Sequence, residues 1–179
     1  MSAAPEVMTA ATDDRAGPRR RAGRKAPRWL VAIVAAWLGA VVFFGAGVAP
    51  AAFAVLGSPA EAGALVGRLL PVLFVSGIGL GLILVLAAAR LRTYGSRVRR
   101  ALAIAGVVIV GCCALAQGWI APEIARVRDA AGTLDTRPPD DPLRREFGRL
   151  HGTSVALLGI AWLGGVALLA IGSLAPRRA

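Results

Sequence analysis

One histidine, His151, and two adjacent cysteines, Cys112 and Cys113, are the only imidazole and thiol side chains in this 179-residue chain. The spaced cysteine pair of a zinc site is missing, and neighbours on a helix cannot both face one partner. They read as small packing residues. A haem held between two histidines would need a second copy of the chain. The sequence also lacks a hydrolase elbow, a phosphate loop, a dinucleotide fingerprint and paired carboxylates. Charge is scarce, at 17% of residues, and acids are scarcer, 10 against 21 lysines and arginines. No catalytic or metal-ligating set and no cofactor is expected, so the chain reads as non-enzymatic.

What it has in excess is apolar length. Hydrophobic residues make up 56%, and the mean hydropathy is +0.65. The charges are segregated: 32 uncharged residues separate Arg28 from Glu61, 21 separate Arg68 from Arg90, and 22 separate Arg100 from Glu123. A fourth run of 27 residues from Arg149 to Arg177 is interrupted only by His151. About 20 apolar residues cross a bilayer as a helix, and backbone hydrogen bonding excludes most alternatives there. The expected fold is therefore an all-α integral membrane four-helix bundle, with spans near 29–56, 65–89, 101–121 and 150–174. Residues 1–28 lack periodicity and read as a disordered basic tail.

A formal charge of +11 invites a nucleic-acid reading, but the basic tail lacks aromatics. Topology explains the charge better. Seven basic residues precede the first span (Arg15, Arg19, Arg20, Arg21, Arg24, Lys25, Arg28). Five more, without an acid, fill the second connection (Arg90, Arg92, Arg97, Arg99, Arg100), and Arg177 and Arg178 end the chain. The positive-inside bias puts both termini in the cytoplasm of a multi-pass protein of the plasma membrane. Its expected partners are the bilayer, anionic headgroups at Arg90–Arg100 and a second copy of the chain. Ala52-Phe53-Ala54 has the form of a signal cleavage site, yet the apolar run before it exceeds a signal core.

Within this frame Trp29 reads as an interfacial anchor, and Pro50 should bend or end the first helix. Pro71 falls in the first turns of the second. Gly77-x-x-x-Gly81 permits close helix contact. Asp141-Pro142 reads as an N-cap and first helical residue, opening a fourth helix long enough to overshoot the membrane. Helices three and four should then project together.

On that last helix Phe147, His151, Ser154 and Leu158 share one face. Polar residues at membrane depth are costly and mark functional sites. Arg68, Gln117, Glu123, Arg126, His151 and Ser154 all map to the outer mouth, whereas the inner halves hold little beyond Ser76 and Ser173. The sequence suggests that His151 and Ser154 face inward, with Glu123 near enough to pair with the imidazole. The leading function is handling of a small molecule, or support of a partner, at this mouth; the competing class is a haem- or redox-linked protein using His151.

Trp37-x-Gly39, Phe43-Phe44, Ala49-Pro50-x-x-Phe53 and Gly67-x-Leu69-x-Pro71 occur in that order. Trp119-x-x-Pro122 and Phe147-x-Arg149-x-His151-Gly152-x-Ser154 follow. This layout, over about residues 29–174, resembles the transmembrane protein 205-like family, also called domain of unknown function 4149. The resemblance implies a four-helix membrane protein of undefined activity, loosely linked to drug and stress tolerance. It departs at Leu158, where members carry asparagine seven residues after the histidine, and Gln117 replaces their polar residues of span three only loosely.

Overall fold

The structure, a computed structural model, describes residues 27–91, 95–132 and 134–173. Nearly all of the expected tail, together with Arg92, Arg177 and Arg178, lies outside the described residues. Four helices carry the chain: α1 (Arg28–Val55), α2 (Pro59–Arg90), α3 (Ser96–Ala131) and α4 (Pro142–Ser173). Each contains a stretch long and apolar enough to cross a membrane. Large apolar side chains such as Val31, Val72, Leu86, Ile104, Val107 and Leu163 point outward from all four. A bundle apolar inside and out belongs in lipid.

α2, α3 and α4 start before the expected spans, and polar side chains cap α2 and α4. Ser58 accepts the Glu61 backbone N–H at 3.2 Å and starts α2 at Pro59. α3 runs through Pro122 for 36 residues, about 54 Å at 1.5 Å each, against roughly 30 Å of hydrocarbon. Gly132, at φ +67°, ends it. Asp141 caps α4 through Oδ1, which accepts from Leu143 N at 2.8 Å and Arg144 N at 3.2 Å. Arg137 ties the two ends together, donating to the Ala131 carbonyl and to Asp141 Oδ2, both at 2.9 Å. Burial works against the Asp141 carboxylate, but Arg137 and the two amides outweigh it and hold the carboxyl below its usual range. At the opposite end Arg99 donates to the Ala88 carbonyl at 3.1 Å, closing the C-terminus of α2.

The end of the bundle bearing Arg28, Arg90 and Arg99 (the near end) is tightly packed. Leu30, Val34, Leu84, Leu102 and Ile109 are buried at 1% exposure or less. Small residues let the backbones approach. A Cβ on Gly77 would fall 2.6 Å from Cys113 Sγ and 2.9 Å from the Trp37 ring. Gly81 meets Gly106 of α3. The Gly77/Gly81 motif therefore serves contacts inside this chain, and Cys113 acts as a small buried filler. Trp37 donates to the Leu73 carbonyl, and Trp162 to that of Leu38, each at 3.3 Å, so indoles lash α1 to α2 and α4 to α1.

Pro50 does not end α1. A π-helical turn, Phe44–Val48, comes just before it, and the helix resumes through the proline to Val55. α3 repeats the device, with a wide turn at Ala116–Ile120 ahead of Pro122. A proline leaves the carbonyl four residues back without its donor and crowds it. A wide turn placed there absorbs the misfit, and such turns recur at functional sites.

Candidate functional site

At the far end, where Ser58 and the α3–α4 connection lie, the packing opens into several clefts, two of which meet at Ser154. The first, about 490 Å³, sits between α1, α2 and α4. The wide turn of α1 contributes Phe44 and Gly45; Val66 and Leu70 face them from α2; His151, Ser154, Val155, Leu158 and Trp162 complete it from α4. Its wall is almost wholly apolar. The second, about 360 Å³, lies between α2, α3 and α4, next to the wide turn of α3. It is lined by Gly67, Arg68, Pro71, Phe74, Gln117, Arg128, Asp129 and Ser154. Leu70 and Ser154 border both. Volumes of this size suit small-molecule sites.

One polar group in the second cleft is unsatisfied. Gln117 Oε1 is buried without a hydrogen-bond partner. Ser154, 3% exposed, borders the same cleft. Buried polar atoms normally have partners. Pro71 adds to this, since it gives no N–H to the Gly67 carbonyl on the cleft wall.

Arg128 is the residue that the sequence reading missed. Its guanidinium lies 5.6 Å from the Phe147 ring centroid, a cation–π distance. It fills the groove left by Gly63 and Gly67, where a Cβ would fall 2.5 Å and 3.3 Å from its nitrogens. It has no ion pair or hydrogen bond among the described residues. In sequence it looks like one more charge on an amphipathic overhang. The available signal was Gly63-x-x-x-Gly67, small residues four apart, ahead of a phenylalanine.

Arg68, Gln117 and Ser154 thus share one cleft, and His151 and Ser154 share the other. Glu123 and Arg126 join neither. They form an exposed ladder in which Arg126 bonds Glu123 at 2.9 Å and Glu146 of α4 at 3.0 Å. The pairing of Glu123 with His151 is therefore corrected: Arg126, one turn away, takes the carboxylate. His151 is exposed at the cleft rim rather than turned inward, and its ring stacks on Phe147, centroids 6.0 Å apart with planes within 8°. Of the motif positions, Trp37 is buried in the packed half, Pro50 and Pro122 follow the wide turns, and Pro71 lines a cleft. Phe53 and Phe147 border a third opening beside Arg128. A Cβ at Gly39 would meet nothing within 4 Å, and the exposed Arg149 offers its carbonyl to the Thr153 hydroxyl. Among the described residues no three of His, Cys, Asp and Glu gather as a metal ion would require.

Four apolar helices with lipid-facing side chains on every one define a multi-pass integral membrane protein. Residues 32–133 match the family described as domain of unknown function (DUF4149), and the chain belongs to that family. The match covers α1 to α3; the Phe147–Ser154 motif of α4 lies beyond it. Neither a curated protein nor a solved structure matches the chain.

Proposed function

We propose that this is a non-enzymatic plasma-membrane protein that holds a small molecule in the paired clefts at its far end. The carrying observation is the contrast between the two halves of the bundle. The near half keeps a void of only about 20 Å³ beside Leu30 and Leu102, while the far half keeps clefts of about 490 and 360 Å³ that meet at Ser154. Close packing is the norm for interiors, so retained space beside an unsatisfied polar group, Gln117 Oε1, points to a ligand. The basic near end supports placing both termini in the cytoplasm, with the clefts at the outer leaflet. The same residues, Arg90 to Arg100, suit contact with anionic headgroups of the inner leaflet.

The test is native mass spectrometry of protein extracted in mild detergent, wild type beside Gly159→Trp. Gly159 lines the apolar cleft, and a Cβ there meets nothing within 4 Å, so the indole can fill the space without disturbing the fold. The expected result is a small molecule on the wild type and its loss in the variant. A co-purifying protein with no bound small molecule would replace this reading by a scaffold role.

A further inference from the structure

Building on that reading of the clefts, we propose that the ligand is a single-chain amphipath whose head carries both an anion and a hydroxyl, as a monoacyl glycerophosphate does. The two clefts differ in chemistry as the two ends of such a molecule do. The first offers about 490 Å³ of aliphatic and aromatic wall, between α1 and α4. The second offers Arg68 and Arg128 against the single carboxylate of Asp129.

The other far-end arginines argue by contrast. Arg126 and Arg137 are neutralised by carboxylates. Arg145 and Arg149 are exposed on the outside of α4. Among the described residues Arg128 alone combines partial burial, a groove shaped by two glycines, an aromatic ring beside the guanidinium and no anionic partner there. A guanidinium held that way is preorganised for a phosphate or carboxylate, to which it can donate two parallel bonds.

The neutral groups define the rest of the head. Gln117 Oε1 is a buried acceptor, so it calls for a donor, which a fully ionised head lacks and a glycerol hydroxyl supplies. Ser154 stands at the neck between the clefts, 3% exposed, where its hydroxyl can donate to an ester carbonyl. The chain then passes Leu70 into the apolar cleft. Bulk lipid could fill an apolar groove but would not require the guanidinium, so charge decides the question.

The test uses full-length protein in phosphatidylcholine nanodiscs, titrated with four probes at matched amounts per lipid. These are monolauroyl glycerophosphate, neutral monolauroylglycerol, cationic dodecyltrimethylammonium and glycerol 3-phosphate without a chain. Binding is read by native mass spectrometry and by saturable thermal stabilisation. The glycerophosphate amphipath is expected to bind best. Arg128→Gln should weaken it at least about tenfold, as loss of a charge-assisted pair does, while Arg145→Gln leaves it unchanged. Equal binding of the cationic or neutral chain, or indifference to Arg128→Gln, overturns the anionic head and leaves the cleft reading intact. Equal binding of glycerol 3-phosphate overturns the chain and makes this a site for free phosphates. If no probe binds and Gly159→Trp changes nothing, the cleft reading itself falls.

Discussion

Gly81 and Gly106 face each other across α2 and α3 so closely that a Cβ on either would lie 2.7 Å from the other's carbonyl oxygen. Backbone cannot retreat as a side chain can. Gly81→Ala should therefore destabilise the protein by about 1–3 kcal/mol, the usual cost of overpacking. Gly39→Ala, at an open position, should be near neutral. Thermal melts of the two variants in one detergent decide it; equal melting temperatures would mean that the contact is looser than described.

Trp37→Phe removes the N–H given to Leu73 and, with it, the indole carbons Cζ2 and Cε2 that lie nearest Gly77. The hydrogen bond alone accounts for about 0.6–1.7 kcal/mol, the range for one within a membrane, and the lost packing adds to it. Leu73 keeps a second donor in the Ser76 hydroxyl at 3.0 Å, which favours the lower end. Chemical denaturation of both proteins measures it.

His151→Ala and Glu123→Ala should add within about 0.3–0.5 kcal/mol, since they share no contact. His151→Ala with Phe147→Leu should fall short of additivity, because the rings stack. A double-mutant cycle for each pair, read by thermal stability, separates the cases. The redox use of His151 predicts a Soret band lost in His151→Ala; the cleft reading expects a visible spectrum without one.

The Asp141 carboxyl sits below its ordinary value, so it stabilises the folded state at pH above the unfolded value near 3.9. That contribution is lost as pH falls through the lower folded value. Wild type should thus lose stability on acidification below about pH 4 more steeply than Asp141→Asn, which keeps a cap acceptor but cannot titrate. A pH series of melting curves shows it; parallel curves would remove Asp141 from the acid response.

The proposed orientation, both termini in the cytoplasm, shields a cysteine at Ser96 and leaves one at Thr136 reachable from outside. In a background lacking Cys112 and Cys113, an impermeant maleimide on intact cells should label only the second. Labelling of Ser96 alone would reverse the orientation.

Element existence was legible because hydrocarbon forbids charge, and the gaps bounded by Arg28, Glu61, Arg68, Arg90, Arg100 and Glu123 mark the first three spans directly. The start of α4 was legible from Asp141-Pro142 for a similarly local reason. The wide turns were not, because they answer a missing amide at Pro50 and Pro122 rather than any change in hydropathy. The site was legible only as a set of polar residues at one end. Which of them meet depends on rivals: Glu123 could reach several cations, and Arg126, one turn away, wins. Arg128 was overlooked because its groove is built more than sixty residues earlier, at Gly63 and Gly67.

The wide turn in α1 also changes how its sides are to be counted. Successive residues of an α-helix are set about 100° apart around the axis, and a turn that takes in one extra residue slips the phase by about that angle. A helical wheel drawn through Arg28–Val55 as one object therefore mixes two registers, one for Leu30, Val34 and Trp37 and another for Ala52. Deleting a single residue within Phe44–Val48 would restore one register throughout. It would swing the last two turns of α1 around the bundle, so the length of this segment is under a constraint that its composition does not reveal.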